Sequence, residues 1–404
     1  MKIGKFAVDN NLTLDTVRHY MDLGLLIPEK KDGYYYFDEK CSEDAHEIIS
    51  LKEHGFKLSE ILDILYIKRL TNPILYEKNK YYMNIYQNKH EQVIKEINIL
   101  KDIECRLKDK IQVLSDKEFH LKHNVGVDIS AIKLLACPSC KSDLALLKGD
   151  IKENQIISGV LKCKCGRVFQ IEDGILISDN SVHMKNPFED NSDDFFQSYF
   201  KETNTEYIQT LMKDFKWLFN RIENEILENE VLLDLGVGYG IVLRKIYNIL
   251  LSNNIYIAVD HNLSILRSLK NMLERIDCKK KVLLICSDFL DIPIKNNSID
   301  IVIDVGGTSV YNTKNNKFLL QHIDRLANKK TTLLGLYVIS NSFIEKSYGN
   351  NFVLNTIKSA IKGLNYNIFD DRISKTISNT GKYESKLLKN EKSNNYLCLA
   401  KRQG

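Results

Sequence analysis

Apolar positions change their period three times along this chain. In the first seventy residues they recur at helical spacing. Ile3, Phe6 and Ala7 share one face, "DNNL" interrupts it, and Leu14, Val17, Met21 and Leu25 resume it. Thr13 is placed to N-cap the second helix, with Asp15 and Thr16 in its first turn. "IPEKKDGYYYFDEK" then reads as a glycine turn followed by a short aromatic strand, and "AHEIISLKEHGFKLSEILDILY" as two helices parted by Gly55. From Asn79 to Ser115 there is neither Gly nor Pro. Tyr86, Val93, Leu100, Leu107 and Leu114 recur at steps of seven, with His90, Ile97, Glu104 and Ile111 four residues after the first four of them. This is a coiled-coil seam with polar interruptions.

The pattern changes again beyond residue 130. "LLACPSCKSDLALL" and "GVLKCKCGRVFQIEDGILIS" each predict strand, tight turn, strand. "SDNSVHMKNPFEDNSDD" is polar and acidic and predicts a linker. An amphipathic helix carrying Phe215, Leu218, Phe219, Ile222 and Ile226 on one side follows it. "VLLDLGVGYG", "IYIAVD", "KVLLICSDFL", "IDIVIDVGG", "TTLLGLYVIS" and "NYLCLAKR" then supply strands alternating with helices. Such alternation predicts a doubly wound, mostly parallel sheet, with ligands beyond the carboxyl ends of its strands.

Composition narrows this only slightly. A chain of 404 residues is expected to hold two or three domains, and a net charge of +4 says little about partners. The first seventy residues carry 10 Lys and Arg against 13 Asp and Glu, so DNA binding there has to rest on pattern. No apolar run approaches the ~18 residues of a membrane helix, and "MKIGKFAVDNN" lacks a signal-peptide core. A cytoplasmic protein without membrane contact is therefore expected. Of the nine cysteines, Cys41, Cys105, Cys278, Cys286 and Cys398 stand singly, whereas Cys137, Cys140, Cys163 and Cys165 are grouped. In a reducing compartment, grouping favours a metal over disulfides.

The N-terminal pattern, with "TVRHYMDLGLLIPEK", "GYYYF" and "LKEHGFKLSEIL", resembles the MerR family of winged-helix regulators. The resemblance implies a DNA-binding domain over residues 1–72 and a dimerisation helix over 76–118. Together they would give a homodimer on a palindromic double-stranded operator. Thr16, Arg18, His19 and Tyr20 are expected on the outer surface of the second helix, facing DNA. Lys5 and Thr13 join them as candidate contacts, as does Tyr35 on the wing, where the family usually places an arginine.

Four thiolates on two facing turns suit tetrahedral Zn²⁺. Cys137 and Cys140 have ideal spacing. One residue instead of two parts Cys163 from Cys165, and Gly166 relieves the turn that follows. A metal-free ribbon is the alternative. The stretch 131–178 resembles the zinc ribbons that precede some methyltransferase domains, "CGRVFQIEDGI" most of all. Residues 179–194 are then the linker.

The glycine turn decides between cofactors. A dinucleotide fingerprint needs a third glycine at the position of Ile241, and the chain instead gives Asp234, Gly236, Gly238 and Gly240. S-adenosylmethionine carries an ammonium and a sulfonium in place of a pyrophosphate, so a carboxylate at the strand end is useful. Asp260 ends the next strand, where it can accept the ribose hydroxyls, and Asp288 follows the third strand, placed for the adenine amino group. With "LLDLGVGYG", "IAVD" and "SDFLDIPIKNNSIDIVID", residues 195–404 resemble class I S-adenosylmethionine-dependent methyltransferases. That resemblance implies a Rossmann-like α/β domain, this cofactor and methyl transfer. It assigns Asp234, Gly236, Gly238, Gly240, Asp260 and Asp288 to the cofactor.

"DVGGTSVYN" lacks the Asn-Pro-Pro-Tyr type of amino-methylating tetrapeptide, which counts against adenine-N6 and glutamine acceptors. Asp304 and Tyr311 are candidates to meet an unidentified acceptor. The expectation is a regulator whose methyltransferase domain senses or acts. The alternative is primarily an enzyme on RNA or a small molecule, with the DNA-binding part for autoregulation.

Overall fold

A computed structural model describes residues 1–71, 75–115, 120–178, 198–227, 230–312, 318–340, 353–377 and 393–403. They fall into two compact units, 1–118 and 119–404. The expected linker 179–194 lies outside the described residues.

The first unit starts with helices α1 (Ile3–Asp9) and α2 (Leu14–Asp22). Thr13 caps α2, accepting from the Thr16 amide at 3.1 Å. Strands β1 (Glu29–Lys31) and β2 (Tyr34–Tyr36) form a hairpin. Its turn residues Asp32 and Gly33 both have positive φ, the signature of the tight turn whose twist matches the strands. Helices α3 (Glu39–Glu53) and α4 (Leu58–Thr71) complete a core around Phe6, Val17, Tyr20, Leu25, Phe37 and Ile48. Phe6 and Phe37 stack at 4.2 Å in its centre. Arg69 on α4 ties the unit together by donating to the carbonyls of Gly24 and Leu25 and to Asp44.

Helix α5 (Leu75–Ser115) has 41 residues and is about 60 Å long. Tyr81, Tyr82, Ile85 and Tyr86 near its start pack on that core. From Glu91 to Ser115 every side chain is exposed, including the seam residues Leu100, Leu107 and Leu114.

In the second unit the strands are β3 (Val127–Asp128), β4 (Ala145–Lys152), β5 (Gln155–Lys162), β6 (Val168–Glu172) and β7 (Ile175–Ile177). They continue as β8 (Val231–Leu235), β9 (Ile255–Asp260), β10 (Lys281–Cys286), β11 (Ile299–Val305), β12 (Ala327–Ser340), β13 (Tyr366–Ile373) and β14 (Ser393–Arg402). Among the described residues they form one sheet in the order 13-14-12-11-8-9-10-7-6-5-3, with β4 paired to β5. Strands β8 to β12 run parallel and β14 antiparallel to β12. The chain lays down β8, β9 and β10 in one direction, then crosses to build β11 and β12 on the other side of β8. Beyond the carboxyl ends of β8 and β11 the topology therefore switches direction, which is where such sheets open a ligand crevice.

Both faces of the central strands are buried. Leu233, Ile257 and Ile285 point into one core, and Leu232, Tyr256 and Leu284 into the other. The cysteine ribbon is continuous with this body, since β7 pairs in parallel with β10. Its own apolar residues Leu135, Leu161 and Phe169 belong to the same core as Leu233 and Ile285. Among the described residues no helix is long and apolar enough to cross a membrane.

Candidate functional site

The glycine turn hangs from the end of β9. The amides of Gly236 and Val237 donate to the Val259 carbonyl at 2.9 and 3.0 Å. Gly236, Gly238 and Gly240 all have positive φ, so the turn follows a path closed to most side-chain-bearing residues. It is also tight, because a Cβ on Gly240 would lie 2.6 Å from Leu269 Cδ1.

Three carboxylates lie at or just beyond the carboxyl ends of β8, β9 and β10. Asp234, at the end of β8, is buried and accepts from the Tyr256 hydroxyl at 2.5 Å. Burial pushes its carboxyl up to about 7, opposed by that hydrogen bond. Asp260, ending β9, accepts from the Gly238 amide at 3.0 Å and the Asn262 amide at 2.9 Å. Burial raises its carboxyl as well. A carboxylate has about four lone-pair sites, so both acids keep acceptor capacity for a ligand. Asp288 is exposed and caps the short turn Phe289–Asp291, accepting from the Leu290 amide at 2.8 Å. Of the residues that the sequence suggested for a cofactor, Asp234, Gly236 and Gly238 line the cavity beside the turn, Asp260 is tied to it through the Gly238 amide, and Gly240, Asp260 and Asp288 are not among its lining residues.

Of the two acceptor-side candidates, Asp304 is fully buried at the end of β11. There it accepts from both the amide and the hydroxyl of Thr308. Burial pushes its carboxyl up to about 6. Those bonds anchor the helix Gly307–Asn312 to the strand end. Tyr311, on that helix, is half-buried and meets His322 edge-on at 6.1 Å; burial and nearby Asp288 both raise its hydroxyl.

A cavity of about 400 Å³ opens beside the glycine turn. Ile208, Leu211, Met212 and Phe215 of the helix Thr205–Glu225 form one wall, joined by Tyr199, Phe200 and Val305. The sequence pattern found that helix but gave no sign that it borders the turn. Two further residues escaped notice. Gly307 lets β8 and β11 end side by side, since a Cβ there would sit 2.4 Å from the Leu235 carbonyl. Tyr256 gives Asp234 its buried partner.

The four grouped cysteines converge, with all four sulfurs within 4.8 Å of one another. Cys137 and Cys165 are 3.8 Å apart and Cys140 and Cys163 3.9 Å. Zn–S bonds of ~2.3 Å give a tetrahedron with edges of ~3.8 Å, so this donor set fits a structural zinc. Cys163 and Cys165, with one residue between them, lie closer together than such an edge. Gly166 takes a φ of +90° to close that turn.

On the N-terminal unit, Lys5, Arg18, His19 and Tyr35 are exposed and Thr16 is half-buried. Thr13 is exposed and serves as the cap of α2. Tyr20 departs from expectation, because its side chain lies in the core rather than on the outer surface. The inward face of α2 runs through Val17 and Tyr20, three residues apart, and Leu14 is left 43% exposed. Tyr20 still satisfies its hydroxyl, which accepts from Lys52 at 3.4 Å.

A doubly wound sheet with its glycine turn at the switch point, fused to a four-cysteine ribbon and preceded by a winged helix, defines the class of this protein. Residues 1–66 match the family model described as MerR HTH family regulatory protein. Residues 131–174 match the one described as Trm112p-like protein. The chain therefore carries a MerR-type helix-turn-helix domain and a Trm112p-like ribbon.

Among solved structures it is similar to the MccD protein, at 12% identity and a TM-score of 0.37, over 46% of this chain and 96% of that one. It is also similar to a SAM-dependent methyltransferase from Methanosarcina mazei, at 12% and 0.34, over 45% and 96%. A third is phosphoethanolamine N-methyltransferase 2 of Haemonchus contortus in complex with S-adenosyl-L-methionine, at 14% and 0.35, over 47% and 53%. No curated protein matches the chain.

Proposed function

We propose that this protein is a dimeric, cytoplasmic, DNA-binding regulator whose C-terminal unit binds S-adenosylmethionine and transfers its methyl group. The observation that carries the cofactor is the glycine turn at the switch point, with Asp234, Asp260 and Asp288 at the ends of three neighbouring strands. In this reading Asp234 faces the ammonium of the methionine moiety, Asp260 accepts the ribose hydroxyls and Asp288 accepts from the adenine amine. Gly236, Gly238 and Gly240 let the backbone approach the ligand.

DNA contact is assigned to Lys5 on α1, to the start and outer surface of α2 through Thr13, Thr16, Arg18 and His19, and to Tyr35 on the wing. The bare seam of α5 is its means of pairing with a second copy on a palindromic operator. The domains are read as 1–72, 76–118, 131–178 and 195–404, with zinc bound by Cys137, Cys140, Cys163 and Cys165.

A second reading has catalysis first, on a small molecule, with DNA binding for autoregulation. The apolar wall of Ile208, Leu211, Met212 and Phe215 beside the glycine turn favours it. Methyl transfer from a sulfonium is an in-line displacement that positioning alone accelerates strongly. Asp304 is bonded to Thr308, which supports reading it as the anchor of the acceptor-side helix. Tyr311 remains the candidate to touch the acceptor.

Two measurements separate the readings. A gel-shift and footprint on the DNA upstream of the gene tests the regulator, and no sequence-selective shift at low salt sinks it. Transfer of labelled methyl from S-adenosylmethionine to RNA, protein or small-molecule pools tests the enzyme. Binding of the cofactor without transfer to any pool leaves the domain as a sensor.

A further inference from the structure

The second cysteine knuckle is bolted to the turn that carries Asp288. Arg167, two residues after Cys165, donates from Nη1 to Asp291 Oδ1 at 2.8 Å and from Nη2 to Asp291 Oδ2. The Ser178 hydroxyl donates to the same Oδ2 and accepts from Arg167 Nη2 at 3.2 Å. Both charged side chains are largely withdrawn from water, with 17% and 15% of their surfaces exposed. A paired, two-pronged geometry of this kind fixes orientation as well as distance.

Each end of the clasp is anchored. On the ribbon side, the Arg167 carbonyl accepts from the Cys163 amide at 3.0 Å, closing the knuckle. Arg167 Nη1 also donates at 3.2 Å to Ser139, which stands between Cys137 and Cys140. Both knuckles therefore hold one guanidinium. On the other side, Asp291 ends the turn that Asp288 caps, and the Asp291 amide donates to the Asp288 carbonyl at 3.0 Å. Phe289 in that turn reaches the glycine turn, its ring tip 3.5 Å from where a Cβ on Gly236 would stand. Asp291 thus shares one short turn with Asp288 and with the ring that abuts Gly236.

We propose that Arg167 is a positioning residue for the cofactor: through Asp291 it makes metal occupancy of the ribbon and binding of S-adenosylmethionine one linked equilibrium. This rests on the reading that the glycine turn holds S-adenosylmethionine. Metal draws the four thiolates together and fixes both knuckles, and these aim the guanidinium that holds the Asp288 turn. Linkage is reciprocal, so the factor by which zinc tightens the cofactor is the factor by which the cofactor tightens zinc. A clasp that only staples the ribbon in place would contribute to stability and leave that factor at one.

The test uses full-length protein. Calorimetry gives the affinity for S-adenosylmethionine of the zinc-loaded wild type, the zinc-stripped wild type and zinc-loaded Arg167→Gln. Competition with a chromogenic chelator gives zinc affinity with and without saturating S-adenosylmethionine. Stripping the metal is expected to weaken the cofactor about tenfold, and the cofactor to tighten zinc by the same factor. Arg167→Gln is expected to keep one zinc, lose that factor and bind S-adenosylmethionine as weakly as the stripped protein, with Arg167→Lys regaining part of it.

Equal affinities for the wild type with and without zinc overturn the proposal. So does an Arg167→Gln protein that retains the full wild-type factor. Where stripping melts the ribbon by circular dichroism, the zinc-loaded variant decides alone. Zinc-loaded wild type that binds no S-adenosylmethionine refutes the cofactor reading itself, an outcome distinct from uncoupled binding.

Discussion

The hydroxyl of Tyr256 donates to Asp234 at 2.5 Å between the neighbouring strands β8 and β9, and both side chains are buried there. A carboxyl in that position is pushed up to about 7, chiefly by burial. In an unfolded chain an aspartate ionises near ~3.9, so ionisation between about pH 4 and pH 7 favours the unfolded state. Stability contributed by the protonated form is therefore lost as pH rises through that window. An ammonium-bearing ligand favours the ionised form. Affinity for S-adenosylmethionine is expected to rise from pH 5 towards pH 7 and then level off. Tyr256→Phe removes a bond that holds the carboxyl down, so the midpoint should move to higher pH, at a cost of about 1–3 kcal/mol in stability. An unmoved midpoint in calorimetric titrations would clear Asp234 of the role.

Gly307→Ala should be more damaging than its size suggests. The added methyl would stand 2.4 Å from the Leu235 carbonyl and 3.2 Å from Asp304, so backbone at a strand end would have to shift. A loss of about 1–3 kcal/mol is expected, together with much weaker cofactor binding, because the strand ends beside the crevice are forced apart. Thermal melting and calorimetry of the variant check both parts.

The seam of α5 predicts the oligomeric state. Leu107 is 58% exposed and Leu100 64%, and both occupy the seven-residue apolar repeat expected of a helix that pairs. Leu100→Glu with Leu107→Glu should shift sedimentation from dimer to monomer and abolish the gel shift on a palindromic site. Cofactor binding should survive. A dimer that persists in the double variant would relocate the interface.

Metal content tests the ribbon directly. Purified protein should carry one zinc per chain, and Cys137→Ser should lose it, because that sulfur is buried in the ribbon core. Metal near zero in the native protein would leave a ribbon held by packing alone.

Periodicity exposed most of the fold. Buried strands such as "VLLDL" and "IYIAVD" advertise themselves because both faces must be apolar. Strand β13 did not, since "YNIFDDRI" alternates polar and apolar residues and includes two aspartates, one of them bonded to Arg221. The cysteine and glycine motifs were legible because their chemistry constrains residue type locally. The Arg167–Asp291 pair was not, being 124 residues apart in the chain. Tyr20 shows the limit within a single helix. Leu14 and Tyr20 flank Val17 on α2, and of the two it is Tyr20 that the core buries while Leu14 stays 43% exposed.

The parallel pairing of β7 with β10 has a practical consequence. Without the ribbon, β10 would be an outermost strand offering unpaired backbone amides and carbonyls to any passing chain, as such strands do when they seed aggregates. A fragment starting at residue 195 would expose that strand along with the apolar surface that Leu135 and Phe169 share with it. It is expected to precipitate or self-associate where a fragment starting at residue 120 stays monodisperse. The ribbon then closes an edge that the C-terminal half would otherwise leave open.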